Sequence, residues 1–222
     1  MARGRGGRSN RPPRSRRRVW LVSTEDTGSA RTYISALARL HDTVHLRQIL
    51  RAPNRTDPIG VVERIENEVA AMRRARDPRP QRAWAIIDAE PHLGAHHRRA
   101  IDAALERAKQ LGVTVLIANP CFEYWLHLHI KDPGCDFDDP AEMKAALCAS
   151  WKEDKQPGTY TKGGADLGRL VTPERIASAA GLARQRHLQG PRNGQPPHLC
   201  GPCCTDLYRL IDALQAPGKP AR

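Results

Sequence analysis

The stretch VWLVSTE at residues 19–25 is a short apolar run that ends in a carboxylate. A glycine turn and apolar residues at helical spacing follow it, so the pattern predicts a strand, a turn and a helix. A second run, AWAIIDAE at residues 83–90, ends in Asp88 and Glu90. Strands that are apolar throughout are typical of a parallel sheet that is covered by helices on both faces.

Further segments continue this alternation of strands and helices. A chain of 222 residues has room for one domain of ordinary size with modest appendages, and not for two large domains. We therefore predict an α/β fold, with a mostly parallel sheet flanked by helices and a helical C-terminal part. The other predicted strands are 43–50 and 113–117, and the predicted helices are 33–40, 58–77, 93–111, 121–130, 141–151, 173–188 and 205–215.

The positive charge of the chain is concentrated at its N-terminus. The formal net charge is +12, and eight arginines of the first 18 residues account for most of it, which leaves +4 for the rest. Residues 1–17 contain almost nothing to bury, so we predict a disordered, arginine-rich arm there. The other predicted divisions are an α/β core at 18–131, a helical part packed on it at 132–216 and a tail at 217–222.

Several classes of protein are not favoured by the composition. No run of about 18 apolar residues exists and no apolar stretch follows the N-terminal arginines, so we expect a soluble, cytoplasmic protein without a membrane partner. The six cysteines are expected to be reduced thiols. Cys200, Cys203 and Cys204 lie near His198, but adjacent cysteines are poorly suited to one tetrahedral zinc centre.

Carboxylates follow two of the predicted strands, where an open parallel sheet binds its ligands. Glu25 follows the first strand, and Asp88 and Glu90 have an i,i+2 spacing that points both side chains the same way in extended backbone. Three such carboxylates repel one another unless they share a hard divalent cation, for which Mg²⁺ is the natural candidate. The alternative is that each acid caps a helix or lies in solvent.

Three segments resemble the signature regions of the RloB-like family, and the resemblance extends from about residue 16 to residue 214. They are VWLVSTEDTGSARTY at residues 19–33, IIDAE at 86–90 and NPCFEYWLHLH at 119–129. The family is bacterial, is linked to restriction-modification and abortive-infection loci, and often lies beside a gene for an AAA/ABC-type ATPase. Its core resembles a Toprim domain, the metal-dependent α/β module of topoisomerases, primases and some nucleases.

The resemblance implies that Glu25 is the Toprim glutamate and that Asp88 is the first acid of the Asp-x-Asp pair. Two departures are present, since Glu90 replaces the second aspartate and no acid stands near Ala30. The implied activity is a nuclease for DNA or RNA that uses Mg²⁺, with Mn²⁺ as an alternative, in antiviral defence beside an ATPase partner. The rival interpretation is a non-catalytic subunit that binds nucleic acid or docks on the ATPase.

Other residues are candidates for supporting roles. Glu123 is expected at the same sheet edge, either supporting the metal or moving a proton, although it also suits a helix N-terminus. The resemblance implies that Lys162, from the Tyr160-x-Lys162 pair, binds a phosphate, while a solvated loop lysine is the alternative. His129 is expected to be a hydrogen-bonded core residue. Arg16, Arg17 and Arg18 of the arm are expected to bind phosphates or to dock on an acidic partner. His92, His96 and His97 are expected to form an exposed polar face.

Overall fold

A five-stranded sheet forms the centre of the computed structural model, which describes residues 18–50, 57–134, 136–137, 139–189, 197–199 and 203–216. The strands are β1 (Arg18–Thr24), β2 (Val44–Ile49), β3 (Arg82–Asp88), β4 (Thr114–Asn119) and β5 (Cys204–Thr205). Their order is β2-β1-β3-β4-β5, and only the pairing of β4 with β5 is antiparallel. The predicted α/β class with a mostly parallel sheet is therefore confirmed.

Helices cover both faces of this sheet, and their starts follow local rules. Asp57 and Asp139 each precede a proline, and the carboxylate of each accepts a backbone N–H of the first turn, at 2.7 Å in both cases. The helices are α1 (Ser29–Arg39), α2 (Pro58–Arg74), α3 (Gly94–Leu111), α4 (Phe122–His127), α5 (Pro140–Glu153), α6 (Pro173–Gln189) and α7 (Tyr208–Gln215), and 3₁₀ turns span Pro91–Leu93, Ala165–Leu170 and Pro197–Leu199.

Alternate residues of the buried strands divide the hydrophobic core into two layers. On one face, Leu21, Ala85 and Ile117 pack with the apolar sides of α2 and α3. On the other face, Trp20 and Val22 belong to a cluster that includes α1, α4 and the later helices α5, α6 and α7. The segment beyond residue 131 therefore shares a core with the sheet.

Several helices are shorter than the sequence pattern indicated, including α2, which ends at Arg74 and not at residue 77. The helix predicted at 121–130 spans only Phe122–His127, and the Asn119–Pro120 peptide before it is cis. The helix predicted from residue 205 begins at Tyr208 because Thr205 pairs with β4, where its hydroxyl donates to the Ile117 carbonyl at 2.8 Å. Residues 1–17 and 217–222, the predicted arm and tail, lie outside the described residues.

The strand order reverses between β1 and β3. From β1 the chain continues to β2 on one side, and from β3 it continues to β4 on the other. Ligands of open α/β sheets bind at such a reversal, outside the carboxyl ends of the strands. Within the part of the chain that the structure describes, no helix is both long and apolar enough to span a membrane.

Candidate active site

Glu25 and Asp88 meet at the reversal point of the sheet. Each lies at or just beyond the carboxyl end of its strand, and the Asp88 N–H donates to Glu25 Oε2 at 3.2 Å. The Glu25 N–H donates in turn to the Ile86 carbonyl at 2.9 Å, which fixes the backbone after β1 against β3. The parallel pairing thus brings together two acids that are 63 positions apart in the sequence.

Glu90 lies near Glu25 and Asp88, but its backbone conformation differs from the predicted extended one. The extended i,i+2 geometry is wrong, because β3 ends at Asp88 and Glu90 adopts a left-handed conformation with φ of 39°. Its N–H donates to the Pro120 carbonyl at 2.9 Å, so the turn is held against the end of β4. The charge of Glu90 nevertheless raises the pKa values of both Glu25 and Asp88.

Asp26 is a buried acid of the site that the sequence reasoning treated only as a departure from the family pattern. Its carboxylate accepts the N–H groups of Gly28 and Ala30, each at 2.9 Å, and so orders the start of α1. A Cβ atom on Gly28 would lie 2.9 Å from the Lys162 side chain, so the close approach favours glycine there. The Asp-x-Gly spacing before a helical pattern is the signal that could have identified this cap.

The loop that contains Tyr160 and Lys162 crosses the start of α1. The Tyr160 hydroxyl donates to Glu123 Oε1 at 2.9 Å and lies 2.6 Å from the Ser29 hydroxyl. The Thr32 hydroxyl donates to the Gly163 carbonyl at 3.1 Å, which anchors the loop on the helix. Through these contacts the loop is joined both to α1 and to the buried Glu123 of α4.

Two cations approach the acids. Lys162 Nζ lies 3.3 Å from Asp26 Oδ1 and remains about half exposed. Arg64 of α2 is buried, and its guanidinium donates to the Ser23 hydroxyl at 3.2 Å and to the Thr24 carbonyl at 2.9 Å. Arg64 was not predicted as a site residue, although an arginine between the apolar positions of α2 is the signal that could have revealed it.

Burial is the largest influence on the electrostatics of these acids. Burial raises the pKa of Glu25 to about 7, against the hydrogen bond from the Asp88 N–H, and Glu90 adds repulsion. Burial likewise raises the pKa of Asp88 well above its ordinary value, and the charge of Glu25 is the largest repulsive contribution. Burial opposes the charge of Lys162, but the Asp26 carboxylate outweighs this effect and raises the pKa of the lysine.

Some predicted residues lie away from this cluster. Arg18 begins β1 at the opposite end of the strand from Glu25, and its guanidinium carbon lies 5.9 Å from the Trp20 ring centroid. Arg16 and Arg17 lie outside the described residues. His129 is buried and contacts the Tyr33 hydroxyl at 3.2 Å, which confirms its prediction as a hydrogen-bonded core residue.

The predicted histidine face lies close to the acids at one point. His92 and His96 are exposed, as expected, whereas His97 is half-buried with Nε2 3.1 Å from the Asp88 carbonyl oxygen.

The described cysteines Cys121, Cys148, Cys203 and Cys204 are free thiols. Cys200, the other residue considered for zinc, lies outside the described residues.

The cluster suits a hard divalent cation by its chemistry. Among the described residues, no three His, Cys, Asp or Glu side chains are arranged so that they could hold a metal ion as they stand. Glu25, Asp88 and Glu90 nevertheless supply the carboxylate oxygens that Mg²⁺ prefers, and burial together with the nearby acids raises the pKa values of Glu25 and Asp88. The donor set therefore fits Mg²⁺, with Glu25 and Asp88 already in contact through a backbone N–H.

Comparison with known proteins agrees with the resemblance drawn from the sequence. The family model described as RloB-like protein matches residues 20–214, which include both acidic strand ends, the buried Glu123 and the loop of Lys162. No curated protein and no solved structure matches the chain. The family match therefore covers every side chain of the acidic cluster.

Proposed function

Because the chain belongs to the RloB-like family, we propose that it is a Mg²⁺-dependent nuclease that hydrolyses phosphodiester bonds in DNA or RNA. The observation that carries this proposal is the pair Glu25 and Asp88 at the reversal point of the sheet, with pKa values raised by burial and repulsion. Perturbed carboxylates of this kind, at the ligand-binding edge of an α/β sheet, are typical of functional sites.

The side chains of the cluster divide into three roles. Glu25, Asp88 and Glu90 would hold the cation, which when bound lowers the pKa of an attacking water and offsets charge on the phosphate. Lys162 reaches solvent beside Asp26 and binds a phosphate oxygen of the substrate as a point charge. Glu123, whose carboxylate accepts the Tyr160 hydroxyl, holds or moves a proton next to Asp88.

A second function is favoured by the departures from the family's acidic motif. Glu90, with its left-handed backbone, replaces the second aspartate, and no acid stands near Ala30, so the chain would serve as a non-catalytic subunit. Such a subunit would bind nucleic acid or dock on an ATPase partner without cleaving the substrate.

The two functions are separated by one experiment. Purified protein is incubated with plasmid DNA and with total tRNA, in Mg²⁺, in Mn²⁺ and in EDTA. Cleavage that requires the metal supports the nuclease, whereas binding that persists in EDTA without cleavage in any buffer supports the subunit. For the role in antiviral defence and the AAA/ABC-type ATPase partner, the test is co-purification of that partner and protection of cells against phage.

We expect Lys162→Met to reduce the cleavage rate about 10- to 100-fold, because a charge-assisted contact to phosphate is lost. The rate is measured with a labelled oligonucleotide at fixed Mg²⁺ concentration. Lys144→Met, which removes the same charge from the exposed side of α5, is the matched control and should retain the wild-type rate. Equal rates in both variants would mean that Lys162 serves only to neutralise Asp26.

We expect deletion of residues 2–15 to weaken nucleic-acid affinity and to flatten its dependence on salt. The deleted segment contains five arginines, and each contact between a cation and a phosphate adds to the salt slope of binding. Affinity is measured by fluorescence anisotropy in EDTA at several salt concentrations. A salt slope that is unchanged in the truncated protein would show that the arm does not contact phosphates.

A further inference from the structure

A cavity of about 420 Å³ opens next to the acidic cluster and is not used by the roles assigned above. It lies at the carboxyl ends of β1 and β2, and Thr24, which precedes Glu25 directly, forms part of its wall. Its volume lies within the range of about 300–1,000 Å³ that is usual for small-molecule sites. The cavity therefore opens at the same carboxyl edge of the sheet as Glu25.

One side of the cavity is cationic and polar. Arg31 of the first turn of α1 is exposed and forms no ion pair with any described residue, and Thr27 beside it is also exposed. The Gln48 side-chain amide lies on the same side, 2.7 Å from the Ser35 hydroxyl. An arginine without a carboxylate partner, with polar neighbours, suits a bidentate contact with phosphate oxygens.

The other side of the cavity is apolar. It is formed by Val22, Ile49 and Leu50 at the ends of the two strands. Leu50 is 66% exposed, the largest exposure among the large hydrophobic side chains of the described residues. An apolar wall of this kind offers a surface for a flat ring, and a bare anion would leave it uncovered.

We propose that this cavity binds one nucleotide unit of the substrate strand, with the base against Ile49 and Leu50 and its phosphate at Arg31. The inference rests on the proposed function, since it places this nucleotide beside the phosphodiester at Glu25. The two chemically different sides of the cavity are the reason for choosing a nucleotide over inorganic phosphate or an apolar ligand.

The test uses the full chain in EDTA, so that binding is measured without cleavage. Adenosine 5′-monophosphate, adenosine and inorganic phosphate are titrated separately into isotope-labelled protein, and backbone amide shifts are followed by NMR. We expect the monophosphate to shift the amides of Thr27, Arg31 and Gln48 and to bind at least tenfold more tightly than adenosine or phosphate. Equal affinity for the monophosphate and phosphate would overturn the proposal in favour of a simple anion site.

Matched variants test each side of the cavity. Arg31→Gln should weaken binding of the monophosphate about tenfold, and Arg39→Gln, at the exposed far end of the same helix, should leave it unchanged. Leu50→Ser should weaken binding of the monophosphate but not of phosphate, with Leu40→Ser, another exposed leucine, as its control. Equal effects of Arg31→Gln and Arg39→Gln would overturn the proposal.

Failure of this inference is distinguishable from failure of the proposed function. If the protein cleaves nucleic acid with Mg²⁺ at the same rate and affinity in wild type and in Arg31→Gln, the nuclease stands and the nucleotide cavity is wrong. If the monophosphate binds as expected in EDTA but no metal supports cleavage, the cavity stands and the nuclease is wrong.

Discussion

Asp88→Asn should reduce metal-dependent cleavage of nucleic acid by about three orders of magnitude, because a bound cation contributes several kcal/mol of charge stabilisation. The substitution removes one charge at nearly constant shape, and the Asp88 backbone N–H remains available to Glu25. Cleavage is measured on plasmid DNA and tRNA over a range of Mg²⁺ concentrations. Mg²⁺ binding, measured by calorimetry, should be lost in parallel.

The same substitution should raise stability in metal-free buffer. An acid whose native pKa is raised is protonated more readily in the folded chain, so its ionisation destabilises the fold as the pH rises above its unfolded pKa. Removing about 1 kcal/mol of this cost raises Tm by roughly 2–4 °C in a chain of this size. The gain should be largest near neutral pH and should disappear towards pH values of about 3 and below, where the carboxyl is protonated in both states.

Two further variants test whether the effects of Asp88→Asn are specific to the acidic cluster. Asp42→Asn removes an exposed aspartate between α1 and β2 and should change neither cleavage nor Tm. Glu90→Asp keeps its charge, and aspartate tolerates the left-handed conformation better than glutamate does, so we expect activity to be retained. Wild-type Mg²⁺ affinity and cleavage in both Asp88→Asn and Glu25→Gln would refute the metal site and favour the docking subunit.

The sheet and its acidic edge could be predicted from the sequence because both follow from local patterns. Three buried strands, β1, β3 and β4, appear as continuous apolar runs, and β2 appears as an alternating one. The rule that ligands bind at the carboxyl ends of parallel strands then selects Glu25 and Asp88. β5 was missed because a strand of two residues, Cys204–Thr205, leaves no periodic pattern. The conformation of Glu90 was missed because nothing in the run marks the last extended residue of β3.

The rest of the site depends on contacts between distant parts of the chain. Arg64 meets Ser23 across 41 positions, and Ser29 meets Tyr160 across 131 positions. Such pairs are created by the packing of α2 and of the later loop on the sheet, and a single sequence contains no local signal for them. The sequence therefore predicted Glu25, Asp88 and Glu90, whereas their hydrogen-bond partners, the nearest cations and the role of Asp26 depend on packing.

The dependence of cleavage on pH should reveal the raised pKa of Glu25. A carboxyl must lose its proton to bind a cation, and each pH unit below the pKa of about 7 reduces the ionised fraction about tenfold. At low Mg²⁺ concentration we therefore expect the cleavage rate to fall at least tenfold per pH unit below pH values of about 7. The raised pKa of Asp88 adds a second proton, so the logarithm of the rate should fall with a slope greater than one.

Competition between protons and Mg²⁺ decides whether this profile belongs to the metal site. Because the cation displaces the protons, raising the Mg²⁺ concentration should move the acid limb of the profile to lower pH. Glu90→Gln removes a repelling charge and should lower the pKa of Glu25 in metal-free buffer, where an NMR titration measures this effect separately from the loss of a proposed metal ligand. Glu106→Gln, an exposed glutamate on α3, should leave the profile unchanged. A limb that stays fixed at every Mg²⁺ concentration would assign the titration to a group that does not bind the metal.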